Sequence, residues 1–324
     1  MNTEPRKSAK EPSNRADIQK YIDQAKDRQR KELGQKLAAG QLMLWPTDER
    51  GIPNELVRCS LFSSKNRRIP RITYKPGMPV VIPIVGGGRI IFWGEELRQD
   101  DETVWLHLIH LSKEARQEWV EFRPRAFVQA IRWPVNGESY ARLLTTLRRL
   151  STVGLEVYSQ RFDKGVNVKL VDRYEYSEGE RTPWRVRVFD PQADLLCLYD
   201  RLYTRLEWER RLDLPAGVAT WLHGFYSSHR EPHPHKLETL AVGAGLTLVK
   251  DEDDQLSEED RKKVVTQRHK DARKTLKEAH EVLVAKNFLK TFEFKKGAEK
   301  GVLQMLAVVR RATAIERKQE PIEF

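Results

Sequence analysis

Cysteine is nearly absent: Cys59 and Cys197 are the only two in 324 residues. They lie far apart among apolar neighbours, so no disulfide framework is possible. Two buried thiols in a reducing, cytoplasmic compartment are expected. Long apolar runs are also missing, and none approaches the ~18 residues that span a bilayer. The opening residues "MNTEPRKSAKEPSNR" carry neither an apolar stretch nor a cleavage pattern, against a signal peptide. Catalytic spacings are missing too. "VGGGR" (Val85–Arg89) lacks the lysine and hydroxyl residue of a phosphate-binding loop. There is no serine elbow, no paired-cysteine zinc spacing and no reactive-cysteine context. Neither an enzyme nor a bound cofactor is expected.

What is present is positive charge. Lys and Arg number 58 against 47 Asp and Glu, a formal net charge of +11. Such an excess points to a polyanionic partner, and nucleic acid is the default. The length suits two domains of ordinary size.

Residues 1–50 read as a charged, partly flexible leader with too few apolar positions to pack firmly. Beyond it, the elements fall into an order. A short helix is expected near Glu55–Phe62. Met78–Trp93 reads as two strands joined at Gly86-Gly87-Gly88. Helical spacing follows Arg98, then a strand at "EWVEF", then a short helix with proline in its first turn. Asn136–Ser151 reads as a helix with Asn136 or Ser139 at its start. Strand-like runs follow at Gly154–Gln160, Val166–Tyr176 and Trp184–Phe189. The order then recurs. Leu214–Ser228 and His235–Ala244 read as helices, an acidic link leads to a long helix from about Ser257 to Lys286, and Phe288–Phe294 and Val302–Arg310 read as a hairpin. The fold expected is α+β: two tandem winged-helix domains at residues 51–205 and 206–311, behind the leader and before a polar tail at 312–324.

The long helix carries the sharpest signal. With Val265 set at zero, Val265, Ala272, Leu276, Ala279 and Leu283 all fall within about 40° of zero, the stripe expected to be buried. Lys262, Lys263, Lys270, Arg273, Lys274 and Lys277, with Thr266 and His280, fall between about 60° and 180°. Asp271, the only acid between Arg261 and Lys277, lies outside that sector. A merely solvated helix would interleave acids at i,i+4. The flank therefore reads as a major-groove recognition surface, with Thr266 near a thymine methyl and Lys295, Lys296 and Lys300 of the hairpin tip reaching the backbone. Earlier in the chain, Tyr140, Leu143, Leu144, Leu147 and Leu150 line one face of a helix. Arg142, Thr145, Arg148 and Arg149 lie on the other. That helix is either a second DNA-reading element or a plain amphipathic one.

The stretch "YSSHREPHPHKLETLAVGAG" (Tyr226–Gly245) holds three histidines and two prolines. A metal-dependent nicking site would need a rigid strand, a third ligand and a nearby tyrosine. Proline breaks a strand ladder, so the stretch reads as a hinge, with no metal expected. His107 and His110 are expected to border a core.

Several stretches are similar to the TrfA replication initiators of broad-host-range plasmids. They are "GIPNELVRCSLFSSKNRRIPR" (Gly51–Arg71), "GEELRQDDETVW" (Gly94–Trp105), "WPVNGESYARL" (Trp133–Leu143) and "FYSSHREPHPHKLETL" (Phe225–Leu240). They follow the family's order over most of residues 44–245, and the likeness loosens beyond Gly245. The resemblance implies binding of direct repeats (iterons) at a plasmid origin, opening of adjacent AT-rich DNA and capture of its single strand. It further implies recruitment of the host sliding clamp, helicase and initiator, and a monomer–dimer equilibrium. The family's clamp contact maps onto Leu61-Phe62. By spacing, Gln41, Leu42, Leu44 and Trp45 form a second clamp-like peptide. The competing readings are core burial of Leu61-Phe62 and a staple at Leu44-Trp45. A dimeric transcriptional regulator of the same fold, binding an inverted repeat, is the alternative function.

Overall fold

The computed structural model describes residues 45–115, 119–159, 164–177, 182–189, 195–199, 203–299 and 302–311, with scattered helical residues between Gln19 and Gln35. Two apolar cores form among them, one drawn from Trp45–Trp208 and the other from Leu214–Val309.

Around the first core the chain runs β1 (Glu49–Pro53), α1 (Asn54–Val57), β2 (Phe62–Ser63), β3 (Thr73–Tyr74), β4 (Val80–Pro83), β5 (Arg89–Glu95), β6 (Leu97–Arg98) and α2 (Gln99–Ala115). It continues through β7 (Trp119–Phe122), α3 (Pro124–Ala130), α4 (Gly137–Thr152), β8 (Gly154–Ser159), β9 (Lys164–Val168), β10 (Arg173–Glu175), β11 (Trp184–Arg187), α5 (Leu195–Tyr199) and β12 (Tyr203–Glu207). Local chemistry sets these ends. The β4–β5 turn places Gly86, Gly87 and Gly88 at φ of 98°, 112° and 106°, a region that side-chain-bearing residues avoid. Pro124 occupies the first turn of α3. The Asn136 side chain accepts a hydrogen bond from the Ser139 amide and starts α4.

After α6 (Trp208–Asp213) come α7 (Val218–Ser227), β13 (His235–Lys236), α8 (Leu237–Gly243), a 3-10 turn at Asp251–Gln255, α9 (Glu258–Ala285), β14 (Leu289–Glu299) and β15 (Val302–Arg311). Ser257 caps α9 by accepting from the Asp260 amide.

The two units share a path. β7, which follows α2, pairs with β11, giving the order β10-β11-β7. β13, which follows α7, pairs with β15, giving β14-β15-β13. In each, two helices intervene before the last strands. The first unit adds a five-stranded sheet of β3, β4, β5, β8 and β9.

Three expectations are corrected. The leader does not extend to residue 50: Trp45 and Arg50 are buried, and β1 pairs with β12, joining the two ends of the first unit. The strand run Val166–Tyr176 is broken between β9 and β10. There Leu170 and Val171 turn inward, and the Leu170 carbonyl accepts from the Trp105 indole at 2.9 Å. The helix expected from His235 begins as a strand, with His235 opposite Ala307. Pro234 does not prevent this because it stands just ahead of the ladder, where no N–H is required.

The units meet through specific polar ties. The Trp221 indole donates to the Cys59 carbonyl at 2.9 Å. Arg58 donates to Ser228 Oγ at 2.8 Å and to the Ser228 carbonyl at 2.6 Å. Ser64 Oγ donates to the Ala244 carbonyl at 2.6 Å. The "CSLF" segment thus lies where the units join, and Leu61 and Phe62 are buried. Cys59 and Cys197 are both buried, and burial pushes the Cys59 thiol up to about 12.

Candidate nucleic-acid interface

α9 has 28 residues, a rod of about 42 Å at the α-helical rise. Only its second half enters the core: Ala272, Leu276, Ala279, His280 and Leu283 are its buried residues. Val265, expected on the buried stripe, is half-buried. The first half is held by polar contacts instead. Asp253 of the 3-10 turn is buried and accepts a forked pair of hydrogen bonds from Arg268, with the second at 3.0 Å. The same carboxylate accepts from the Lys250 amide at 2.8 Å. Arg268 holds Asp253 below the usual carboxylate range. Arg261 pairs with Asp254 at 2.9 Å, and His269 approaches Glu238 at 3.6 Å. Arg261 and Arg268 lie at about −40° and −60° on the helical wheel. The acidic link therefore neutralises the side of α9 away from the basic flank.

All six cations of that flank are exposed, as is Thr266. Lys262, Lys270 and Arg273 have no ion-pair partner among the described residues. The other three are paired along the helix: Lys263 with Glu259 at 2.7 Å, Lys274 with Glu278 at 3.9 Å and Lys277 with Glu281 at 3.6 Å. The expectation of a flank wholly without acids is corrected in this respect, because Glu259 precedes the Arg261–Lys277 window and Glu278 and Glu281 follow it. Exposed i,i+4 pairs are worth only a few tenths of a kcal/mol, so a polyanion displaces them at small cost.

His280 does not belong to the flank. It is fully buried, with Nε2 2.8 Å from the Tyr226 hydroxyl and Nδ1 2.6 Å from the Leu276 carbonyl. A carbonyl only accepts, so Nδ1 carries the proton and Nε2 accepts from tyrosine. The rings of Phe292 and Phe294 cover it, which is why the sector is apolar at that turn. In the hairpin, Lys295 is exposed beside Glu293 at 3.0 Å and Lys296 is exposed. Lys300 lies outside the described residues.

α4 divides its predicted residues. Thr145 and Arg148 are exposed, with Arg148 over the Tyr176 ring. Arg149 is buried and cannot meet a duplex. Its guanidinium binds Asp101 at 2.5 Å and Glu95 at 3.2 Å. Arg142 is half-buried, 2.8 Å from Asp100 and stacked 3.7 Å from the Trp133 ring centroid. Sequence reading missed the reason. Asp101 also binds Arg71 at 2.7 Å and the Arg98 amide at 2.8 Å, so two acids at the start of α2 gather arginines from a loop and from α4. Burial alone would raise Asp100, but Arg142 and Arg71 outweigh it and hold the carboxyl below its ordinary value. The adjacent acids in "RQDDE" were the available signal. Arg67 and Arg68 are exposed cations that sequence reading also passed over.

Of the four clamp-like residues, only Trp45 lies among the described ones. Trp45 is buried, 5.8 Å from the Tyr199 ring and 5.2 Å from Tyr203. Gln41, Leu42 and Leu44 lie outside the described residues. His107 and His110 are buried in the first unit, as expected.

The architecture defines a class: an α+β protein of two units built on one path, with a basic helix exposed on the second. The sequence model of the TrfA protein family matches residues 7–267. A plasmid replication initiator protein TrfA of Escherichia coli is 30% identical over 268 residues, covering 80% of this chain and 68% of that protein. The chain belongs to the TrfA family. Among solved structures, domains 2 and 3 of RctB superpose with a TM-score of 0.50 at 11% identity, covering 81% of this chain and 99% of that one. This likeness concerns the fold. The family match ends inside α9, so Lys270–Lys277 and the β14–β15 hairpin lie beyond it.

Proposed function

We propose that the protein initiates plasmid replication by binding direct repeats at an origin through two tandem winged-helix units, with α9 as the main reading helix. The observation that carries this is the exposed flank Lys262–Lys277, whose acids are confined to weak pairs along the helix while the buried acid of the link faces the other side. Helix, short strand, two helices and a hairpin form the winged-helix order, and family membership supplies the biological setting. A helix of this kind places cations along the major groove, and the basic hairpin beside it suits the neighbouring backbone. α4 contributes through Thr145 and Arg148 only.

On this reading, repeat binding leads to opening of adjacent AT-rich DNA, capture of one strand and loading of host clamp, helicase and initiator, with monomers and dimers in equilibrium. A clamp contact through Trp45, Leu61 or Phe62 would require unpacking a core, which leaves Gln41, Leu42 and Leu44 for that role.

The test is footprinting of purified protein on origin DNA, beside a variant carrying Lys270→Glu, Arg273→Glu and Lys274→Glu. Protection of same-orientation repeats, lost in the variant, is the expected result. Protection of an inverted repeat with a closed duplex would favour a dimeric regulator. Undiminished binding by the variant would remove α9 from the interface.

A further inference from the structure

We propose that His229, His233 and His235 form a three-imidazole site for a divalent transition cation, which pins the corner between α7 and β13. The hinge assigned to this stretch from sequence is, in three dimensions, a cluster. Ligand-capable nitrogens of the three rings all lie within 4.8 Å of one another. Bonds of ~2.05 Å to a tetrahedral zinc ion place its nitrogens roughly 3.3 Å apart. Only a modest closure is needed, and His233 is exposed and able to make it.

Two further observations point to a ligand. Among the described residues, Nε2 of His235 is buried without a hydrogen-bond partner, on a residue only 6% exposed. An unmatched buried nitrogen is costly, and a bound cation would satisfy it. His229 is oriented from behind, with Nδ1 2.9 Å from the Phe225 carbonyl. That carbonyl can only accept, so the proton sits on Nδ1 and the Nε2 lone pair is left available. This is the outer contact that metal-bound histidines commonly make.

The backbone supports the cluster from three places. His229 follows the end of α7, His235 sits in β13 opposite Ala307, and Pro232 and Pro234 stiffen the loop that carries His233. An all-imidazole set selects zinc, copper, nickel or cobalt over magnesium or calcium. No carboxylate belongs to the cluster among the described residues. Two guanidiniums lie close: Arg58 on Ser228, and Arg311 at 3.4 Å from the His229 carbonyl. They oppose a cation and set the affinity below that of a cysteine-rich site. A nicking role does not follow, because Tyr226 is buried against His280. The bond set is structural: it fastens β13, on which the β14–β15 hairpin is built, beside the Arg58 tie to the first unit.

The test is equilibrium dialysis of the full chain against zinc, with His233→Ala, a His229→Gln variant and, as a control outside the cluster, His269→Ala on α9. His233 is exposed, so its removal leaves the fold intact. One equivalent of zinc on the parent and the control, a higher Tm with zinc, and binding weakened by more than ~10-fold in both cluster variants are expected. Cobalt in place of zinc should give visible bands that the cluster variants lack. No stoichiometric zinc on the parent, equal affinity in His233→Ala, or loss in the His269→Ala control would each overturn the site.

Discussion

Arg148 and Arg149 are neighbours on one helix with opposite roles. Arg148 projects into solvent, whereas Arg149 is buried against Asp101, itself shielded from water. Arg149→Ala takes one of two guanidiniums from the buried Asp101, which keeps Arg71. It should lower the urea midpoint, by less than the about 3–5 kcal/mol typical of stranding a buried charge outright. Arg148→Ala should leave the urea midpoint nearly unchanged and act, if anywhere, on DNA affinity. Urea titration of the two variants in parallel checks both. The distinction was not legible from helical spacing, since both residues fall on the polar side. It depends on an acid 48 positions away in the chain. Trp45 is a similar case: its place in a clamp-like peptide is a local pattern, but Tyr199 and Tyr203 fill the space around it.

At the scale of elements, α9 is a helix with two regimes. Its second half is held by apolar burial, and its first half by the Arg268–Asp253 fork. On the proposed reading, the outward-facing cations release counterions when a duplex binds. Each phosphate contact contributes about −0.9 to the slope of log affinity against log salt. Replacing Lys262, Lys270 and Arg273 by alanine should flatten that slope by about 3. The same substitutions keep good helix formers in place, so circular dichroism should be unchanged. A slope unaltered by all three would assign phosphate contacts elsewhere. The flank itself was legible in the sequence because a helical wheel is local geometry. The docking of the acidic link was not, because a run of acids reads equally well as a solvated linker.

For the whole molecule, buried imidazoles in both cores couple folding to pH. Burial pushes His280 down to about 4, and burial with the nearby Arg50 pushes His107 down to about 3. Unfolded histidines take up protons below about 6.5. Between pH 6.5 and about 4 the unfolded chain therefore binds more protons, and stability rises with pH across that window. Both units should be fully stable above pH 6.5 and weaken together as pH falls toward 4. Urea midpoints at pH 7 and pH 4.5 test this, and a His280→Gln variant should lose less between the two. Equal midpoints for the parent would show that these rings are protonated in the folded state.

The sequence by itself determined the elements whose causes are local. The glycine turn between β4 and β5, the Asn136 and Ser257 caps, the proline entry to α3 and the segregated wheel of α9 all arise from interactions within a few residues. The charge excess is likewise read from composition alone. Tertiary structure alone decided which charged groups are available. It buried Arg149 and His280, drew Trp45 into the first core, turned the acidic link into an anchor, and brought three histidines together where β13 meets β15. Those outcomes depend on the cost of stranding a charge or a ring away from its partner, and the partner is distant in sequence.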